Sequence, residues 1–229
     1  MSIKAAIFDY DGTIVDSMKM WHTIPSTFAR RLGKEPVPEF DEQYKYLSMD
    51  QASEEFRRLY GIRLTNEEII NRIMDMVHGF YRETLPLKEG VREVLEELHS
   101  KGIPMCVATM TPQPMIRSAN ERLGLTDYFQ EIYSCTDFGV GKDTPYIYDL
   151  ASGRMGAEPE ETLVFEDMII AVNTAHRAGY KVVGICDENS RKDWDRIIAG
   201  SDFSVYSLAE WPGLEKIEER MENKSPSGR

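Results

Sequence analysis

The sequence contains little cysteine and no long hydrophobic segment. Its three cysteines, Cys106, Cys135 and Cys186, are widely spaced in a chain of 229 residues. An odd number of scattered cysteines favours buried, reduced thiols over a disulfide framework or a cysteine metal cluster. No apolar segment approaches the ~20 residues that a membrane helix needs. The first four residues lead directly into an apolar segment and leave no room for a signal peptide, so we expect a cytoplasmic protein without a membrane partner.

Positive charge is also scarce. The chain has 27 lysines and arginines against 39 acidic residues, a formal net charge of −12, which argues against a nucleic acid partner. With 41% hydrophobic and 29% charged residues, the composition is that of an ordinary soluble globular protein. The negative field would repel a small phosphate substrate. Any anion site must therefore be made locally positive by a metal, a lysine or backbone amides.

Short apolar segments alternate with helical patterns along most of the chain. Strands that alternate with helices predict a parallel sheet covered by helices on both faces. We therefore predict the α/β fold class, with a Rossmann-like parallel sheet. The predicted strands are residues 5–8, 105–108, 131–134, 162–165, 181–185 and 203–206.

One connection is too long for this pattern. About ninety residues separate the first two predicted strands, whereas a simple crossover needs only a few dozen. Residues 16–85 have helical patterns almost throughout, with capping boxes at 48–51 and 65–68. Pro25 should split the first helix of this segment. We predict an inserted all-α domain at residues 16–85, and an α/β core formed by residues 1–15 and 86–229.

Two carboxylates, Asp9 and Asp11, follow the first predicted strand. Residues i and i+2 of a strand point to the same side, so both emerge at the carboxyl end, where open α/β sheets bind ligands. Gly12 then turns the chain, because only glycine takes a positive φ without a steric penalty. Paired like charges are costly unless a cation or a shared proton relieves them. The pair indicates a metal site, an acid/base pair, or both.

The other predicted strand ends carry further polar residues. The Thr109 hydroxyl, followed by the backbone amide of Met110, could hold an anion after the second strand. Lys142 follows the third strand in a glycine-rich loop, and Glu166 and Asp167 follow the fourth. Each has an ordinary alternative, since threonines commonly end strands, lysines are usually surface charges, and Asp167 could cap a helix. Individually, none of them decides the function.

In this order, the residues resemble the four motifs of the haloacid dehalogenase superfamily. The first motif reads Asp9-Tyr10-Asp11-Gly12-Thr13, and the threonine, the lysine and the Glu-Asp pair follow at successive strand ends. The similarity covers almost the whole chain. The position of the insert resembles the helical-cap branch, which contains phosphoglycolate phosphatase and β-phosphoglucomutase.

The resemblance implies a role for each of these residues. Asp9 would attack phosphorus and form an aspartyl-phosphate. Asp11 would protonate the leaving oxygen and then deprotonate the hydrolytic water. Thr109 and Met110 would bind phosphoryl oxygens, and Lys142 would offset the negative charge of the nucleophile and the phosphoryl group.

The resemblance also implies a Mg²⁺ cofactor. The ion would be bound by Asp9, the backbone carbonyl of Asp11 and Asp167, with Glu166 as a ligand or as the holder of a metal-bound water. Asp11 indicates phosphoryl transfer, because dehalogenases of this superfamily lack the second aspartate. The chain departs from the usual pattern at Met168, where related enzymes often have serine.

We therefore expect a monomeric, Mg²⁺-dependent phosphatase that hydrolyses a small phosphorylated metabolite, a phosphate monoester. The alternative is a phosphosugar mutase similar to β-phosphoglucomutase. Mutases of that branch carry an arginine and a histidine in the cap, and an ungapped count places Met49 and Trp21 there, which disfavours this alternative. A third interpretation is a catalytically idle binding or regulatory protein on the same scaffold. Degenerate motifs would mark such a protein, whereas here the motif residues are all present.

Overall fold

The computed structural model describes residues 2–44 and 46–224. The chain divides into two compact units. One unit combines the residues up to Asp16 with those from Pro86 onward, and the other is Ser17–Leu85.

The first unit is built on a six-stranded parallel sheet. The order across the sheet is β3-β2-β1-β4-β5-β6, so the first strand lies in the middle. All residues of β1, β2 and β4 are buried, as expected for a parallel sheet that is surrounded by helices. The Rossmann-like α/β fold predicted from the sequence is confirmed. The strands are β1 (Ala5–Phe8), β2 (Met105–Thr109), β3 (Glu131–Ser134), β4 (Thr162–Glu166), β5 (Lys181–Ile185) and β6 (Phe203–Val205).

The second unit is the all-α insert. Ser48 and Thr65 each form the predicted capping box at the start of a helix, with Gln51 and Glu68 as the respective partners. Pro25 lies in the first turn of a new helix, where its missing N–H is tolerated. The preceding helix ends at His22, so the helical segment is split just before Pro25, as predicted. The helices are α1 (Met18–His22), α2 (Ile24–Arg31), α3 (Pro38–Tyr44), α4 (Met49–Tyr60) and α5 (Asn66–Glu83).

The remaining helices belong to the sheet-bearing unit. They are α6 (Val91–Ser100), α7 (Gln113–Leu123), α8 (Cys135–Phe138), α9 (Tyr146–Met155), α10 (Ile169–Arg177), α11 (Trp194–Ala199) and α12 (Leu214–Lys224). Short 3₁₀ turns occupy Thr126–Tyr128, Pro159–Glu161, Arg191–Asp193 and Leu208–Glu210.

Some element ends differ from the sequence prediction. β2 and β4 extend by one residue, to Thr109 and Glu166, because these residues still pair with Ser134 and Gly184 of the adjacent strands. β6 ends at Val205, one residue early. Between β5 and β6, a 3₁₀ turn precedes α11, which begins at residue 194.

The cysteines are free thiols. Cys106 lies in β2 and Cys135 begins α8, and both are buried as expected. Cys186 follows β5 and is only partly buried. No helix of the described residues has both the length and the apolar character needed to cross a bilayer.

Within the sheet-bearing unit, the chain that leaves β1 runs beside the chain that returns from the insert. Val15 pairs with Leu87 in an antiparallel bridge. The amide of Asp16 donates to the carbonyl of Pro86 at 3.0 Å, and the amide of Lys88 donates to the carbonyl of Ile14 at 2.9 Å. The turn after β1 is therefore braced by the segment that follows the insert.

Candidate active site

Four charged side chains meet at the carboxyl edge of the sheet. The Lys142 ammonium donates to Asp9 Oδ1 at 2.6 Å and to Glu166 Oε1 at 2.5 Å. One carboxylate oxygen from each of Asp9, Glu166 and Asp167 lies within 4.8 Å of the others. All four side chains are buried. Three acids and one lysine thus form one cluster, although the first and last of them, Asp9 and Asp167, are 158 positions apart in the chain.

The backbone after β1 fixes this arrangement. The amide of Asp9 donates to the carbonyl of Phe165 at 2.9 Å, which ties the start of the turn to β4. Gly12 has φ +80°, and a Cβ atom at this position would lie 2.5 Å from Asp167 Oδ2. Both the positive φ and the close approach of the carboxylate require glycine.

Tyr148 is a member of the cluster that the sequence analysis missed. Its hydroxyl, on α9, donates to Glu166 Oε1 at 2.8 Å. Glu166 Oε1 therefore accepts hydrogen bonds from both Tyr148 and Lys142. Glu166 Oε2, in contrast, is buried without a hydrogen-bond partner among the described residues. A tyrosine within a helix gives no sequence signal for such a contact.

Burial and mutual repulsion perturb the carboxyl groups. Burial raises the pKa of Asp9 to about 7, assisted by Glu166 and opposed by the adjacent Lys142 ammonium. Burial also raises the pKa of Asp167 well above its usual range, and the carboxylates of Asp9 and Glu166 add to the shift. Burial alone would lower the pKa of Lys142, but the same two carboxylates outweigh it and raise that pKa. Lys142 is therefore a charged ammonium, and one positive charge faces three acids.

The cluster fits a hard divalent cation. Its donors are all oxygens, it carries an excess of negative charge, and the buried Oε2 of Glu166 lacks a protein partner. An unpaired buried carboxylate oxygen is costly, and a bound cation would remove that cost. Oxygen-rich sites of this kind suit Mg²⁺. The Asp167 carboxylate is directed into this cluster, and the N-cap position of α10 is occupied by Met168 instead.

Asp11 lies beside this cluster and has a different partner. Its Oδ2 accepts a hydrogen bond from the Thr111 hydroxyl at 2.6 Å. Thr111, two residues beyond the end of β2, was also missed from the sequence, although it shares the i, i+2 spacing of a strand side with Thr109. Thr111 therefore orients the carboxylate that the motif assigns to proton transfer.

The two residues predicted to bind phosphoryl oxygens lie at the end of β2. Thr109 is its last residue and is buried, and its Oγ1 accepts from the Thr111 amide at 3.1 Å. The Thr109 hydroxyl retains its own proton for donation. Met110 follows with its side chain 48% exposed. Anion binding by Thr109 and the Met110 amide stays a prediction.

Comparison with known proteins identifies a family match. A family model described as haloacid dehalogenase-like hydrolase matches residues 6–185. This range includes β1 from Ala6 onward, β2 to β5, the insert and the whole acidic cluster. The resemblance predicted from the motifs is confirmed.

Similar proteins include several named phosphatases. A phosphorylated carbohydrates phosphatase of Thermotoga maritima is 29% identical over 177 residues, which are 77% of this chain and 82% of the relative. Hexitol phosphatase B of Escherichia coli (strain K12) is 23% identical over 91% of this chain and 94% of its own. The crystal structure of CbbY from Rhodobacter sphaeroides in complex with xylulose-(1,5)bisphosphate aligns with a TM-score of 0.74 at 22% identity. The alignment covers 94% of this chain and 99% of that one, which shows a common fold.

Proposed function

Because the chain belongs to the haloacid dehalogenase-like hydrolase family, we propose that it is a Mg²⁺-dependent phosphatase of small phosphate monoesters. The observation that carries the proposal is the buried contact of Lys142 with Asp9 beside Asp167. This contact supports the proposal because the candidate nucleophile, a buried positive charge and the carboxylates that could hold a cation are neighbours. Phosphorylated sugars and sugar alcohols are the proposed substrates, supported by the names of the two phosphatase relatives.

Asp9 is the proposed nucleophile. One of its carboxylate oxygens forms a bond to phosphorus while the bond from phosphorus to the substrate oxygen breaks, which leaves an aspartyl-phosphate. Lys142 donates to Asp9 Oδ1 and so counters the negative charge that accumulates as the phosphoryl group approaches. A Mg²⁺ ion held by Asp9, Asp167, Glu166 and the Asp11 carbonyl would supply electrostatic stabilisation of the phosphoryl oxygens.

Asp11 is the proposed acid and base. In its protonated form it gives its proton to the departing alkoxide, and as the carboxylate it then accepts a proton from the water that attacks phosphorus. That attack breaks the bond between phosphorus and Asp9 and releases inorganic phosphate. Thr111 donates to Asp11 Oδ2 and is proposed to orient this side chain. The Thr109 hydroxyl and the Met110 amide are the proposed donors to the phosphoryl oxygens.

The test is the release of inorganic phosphate from a panel of phosphorylated sugars, hexitol phosphates, nucleotides and short acids. We expect turnover with Mg²⁺ and none after chelation by EDTA. Asp9→Asn should lower turnover by several orders of magnitude and prevent trapping of a phosphoenzyme, since an amide is a poor nucleophile. Asp127→Asn, at an exposed acid in the 3₁₀ turn before β3, is the matched control and should retain activity.

Two outcomes would reject the proposal. Substantial Mg²⁺-dependent turnover by Asp9→Asn would remove the nucleophile assignment. Isomerisation of a sugar phosphate that requires a bisphosphate, without released phosphate, would instead support the mutase alternative.

We further propose that the protein acts as a monomer in the cytoplasm, and that the helical unit contributes to substrate selection. Free thiols are compatible with a reducing compartment. Size-exclusion chromatography with light scattering tests the monomer.

A further inference from the structure

A second lysine, Lys88, is half-buried and lies against the turn that follows β1. The Lys88 ammonium donates to the carbonyl of Gly12 at 2.7 Å and to Asp187 Oδ2 at 2.7 Å. The side chains of Lys88 and Asp187 are only 17% and 4% exposed. Lys88 follows the insert, whereas Asp187 follows β5. The ammonium therefore joins two loops at the carboxyl edge of the sheet.

Asp187 is itself held in place. Its Oδ1 accepts from the amide of Asn189 at 3.0 Å, and its own amide donates to Ser190 Oγ at 3.2 Å. The carboxylate that anchors Lys88 is thus fixed by its own loop. Lys88 is half-buried and donates to one carboxylate and one backbone carbonyl. It therefore differs from a solvated surface lysine, whose ion pairs contribute little to stability.

The Gly12 carbonyl, which accepts from Lys88, belongs to a peptide whose position affects two site residues. Gly12 lies so close to Asp167 that a Cβ atom would meet Asp167 Oδ2, and it directly follows Asp11 in the chain. A shift of the Gly12 peptide would therefore move the proposed acid/base group and alter the packing of a proposed metal ligand. Lys88 restrains this peptide through its carbonyl oxygen.

Lys88 also offsets the negative charge of Asp187 near the acidic cluster. Asp187 is one of the carboxylates that raise the pKa of Asp167, after burial and the nearer acids Asp9 and Glu166, so its charge acts on the metal cluster. Lys88 pairs with Asp187 directly. Without Lys88, an additional uncompensated negative charge would act on the cation site.

We propose that Lys88, together with Asp187, is a positioning pair of the active site, which fixes the Gly12 carbonyl and cancels the Asp187 charge near the cation site. This inference rests on the proposed function, because it assumes the roles of Asp11 and the metal cluster. Lys88 does not touch the reacting atoms and acts through the turn.

The charge part is tested by calorimetric titration of Mg²⁺ into the full chain. Lys88→Met leaves Asp187 uncompensated and should tighten Mg²⁺ binding, by about threefold or more from Coulomb attraction at a partly screened distance. Asp187→Asn leaves the ammonium uncompensated and should weaken binding by a similar factor. The double variant removes both charges and should bind Mg²⁺ close to the wild-type affinity. It also avoids an unpaired buried charge, so it keeps the test valid if a single variant fails to fold.

The positioning part is tested by kinetics at saturating Mg²⁺. Lys88→Met and the double variant should both lose about tenfold or more in kcat, because both leave the Gly12 carbonyl unrestrained. KM should change much less, since no substrate contact is removed. Lys88→Arg keeps a charged donor and should recover most of the lost kcat.

The matched control is Lys181→Met. Lys181 is also a half-buried lysine near an aspartate, with its ammonium 3.8 Å from Asp202, but it begins β5 at the opposite edge of the sheet. This variant should leave Mg²⁺ affinity and kcat unchanged.

Two results would overturn the inference. One is a shift of Mg²⁺ affinity in the same direction in Lys88→Met and Asp187→Asn, as expected of a purely structural pair. The other is a wild-type kcat in both Lys88→Met and the double variant. If the wild-type chain releases no phosphate from any substrate, the proposed function itself fails, whereas the opposite shifts in Mg²⁺ affinity would still support the charge pairing.

Discussion

At the scale of single residues, Lys142 is the group on which the cluster depends. Its ammonium is buried and in contact with two carboxylates, whose charges raise its pKa against the effect of burial. Removing one partner of a buried ion pair is strongly unfavourable, because the remaining charges stay desolvated. The ammonium therefore has two effects. It supplies positive charge to the site, and it reduces the repulsion among the three buried carboxylates.

We predict that Lys142→Met lowers kcat by about two to three orders of magnitude, the loss typical when one preorganised donor to developing charge is removed. Steady-state phosphate release measures the effect, and circular dichroism checks that the fold is retained. The adjacent Asp143→Asn, at an exposed side chain, should keep kcat within a small factor. A near-normal rate for Lys142→Met would mean that the lysine has no electrostatic role.

Some site residues could be predicted from the sequence, and others could not. The positions of Asp9 and Asp11 could be predicted because strand periodicity and a following glycine are local signals. The contacts of Tyr148, Thr111 and Lys88 could not, since they join residues 18, 100 and 76 positions apart. Such pairs are set by the packing of distant elements and leave no spacing pattern in the chain.

At the scale of elements, the turn after β1 is constrained from several sides. Gly12 needs both its left-handed backbone and the absence of a side chain, because Asp167 approaches from one side. Its carbonyl is held by Lys88 on the other. A turn restrained in this way keeps its two aspartates preorganised instead of relying on substrate to order them.

We predict that Gly12→Ala destabilises the protein by about 1–3 kcal/mol through backbone strain and lowers kcat at least about tenfold through displacement of Asp167. Urea unfolding and phosphate release measure the two effects. Gly124→Ala is the matched control, because Gly124 also has positive φ, +65°, at the end of α7, but nothing lies within 4 Å of an added Cβ. The control should lose stability without losing turnover, and a wild-type kcat for Gly12→Ala would contradict the expected displacement.

Element boundaries were predictable only where local chemistry decides them. Capping boxes and Pro25 gave the starts of α4, α5 and α2, since caps and proline act within one helical turn. The additional residue of β4, Glu166, depends on pairing with Gly184 of β5, which no local signal encodes. The start of α10 at Ile169 likewise follows from the use of Asp167 in the cluster instead of at the helix cap.

At the scale of the whole molecule, the acidic character extends from the surface into the interior. The chain carries a net charge of −12, and its buried cluster contains three acids for one lysine. Burial and repulsion raise the pKa values of Asp9 and Asp167, so keeping these groups ionised at neutral pH lowers the stability of the ion-free protein. A bound cation should relieve this penalty.

We predict that Mg²⁺ raises the melting temperature of the wild-type chain by several degrees, since a ligand at about 100 times its Kd contributes about 2.7 kcal/mol. Asp167→Asn should raise the melting temperature of the ion-free protein, because one repelling charge is gone, and should remove most of the shift with Mg²⁺. Differential scanning calorimetry measures both effects. NaCl at matched ionic strength controls for screening of the net charge. An equal Mg²⁺ shift in the variant would place the ion elsewhere.

The pairing of residues 14–16 with 86–88 has a consequence for how the molecule is assembled. Asp16 and Pro86 are one hydrogen bond apart, although 69 residues of chain, Ser17–Leu85, lie between them. The points where the chain leaves and re-enters the sheet-bearing unit are therefore close enough for a tight turn to join them. We therefore expect that the insert could change in length and sequence, or be replaced by another module, while β1 and the turn after it, which carries Asp9, keep their neighbours.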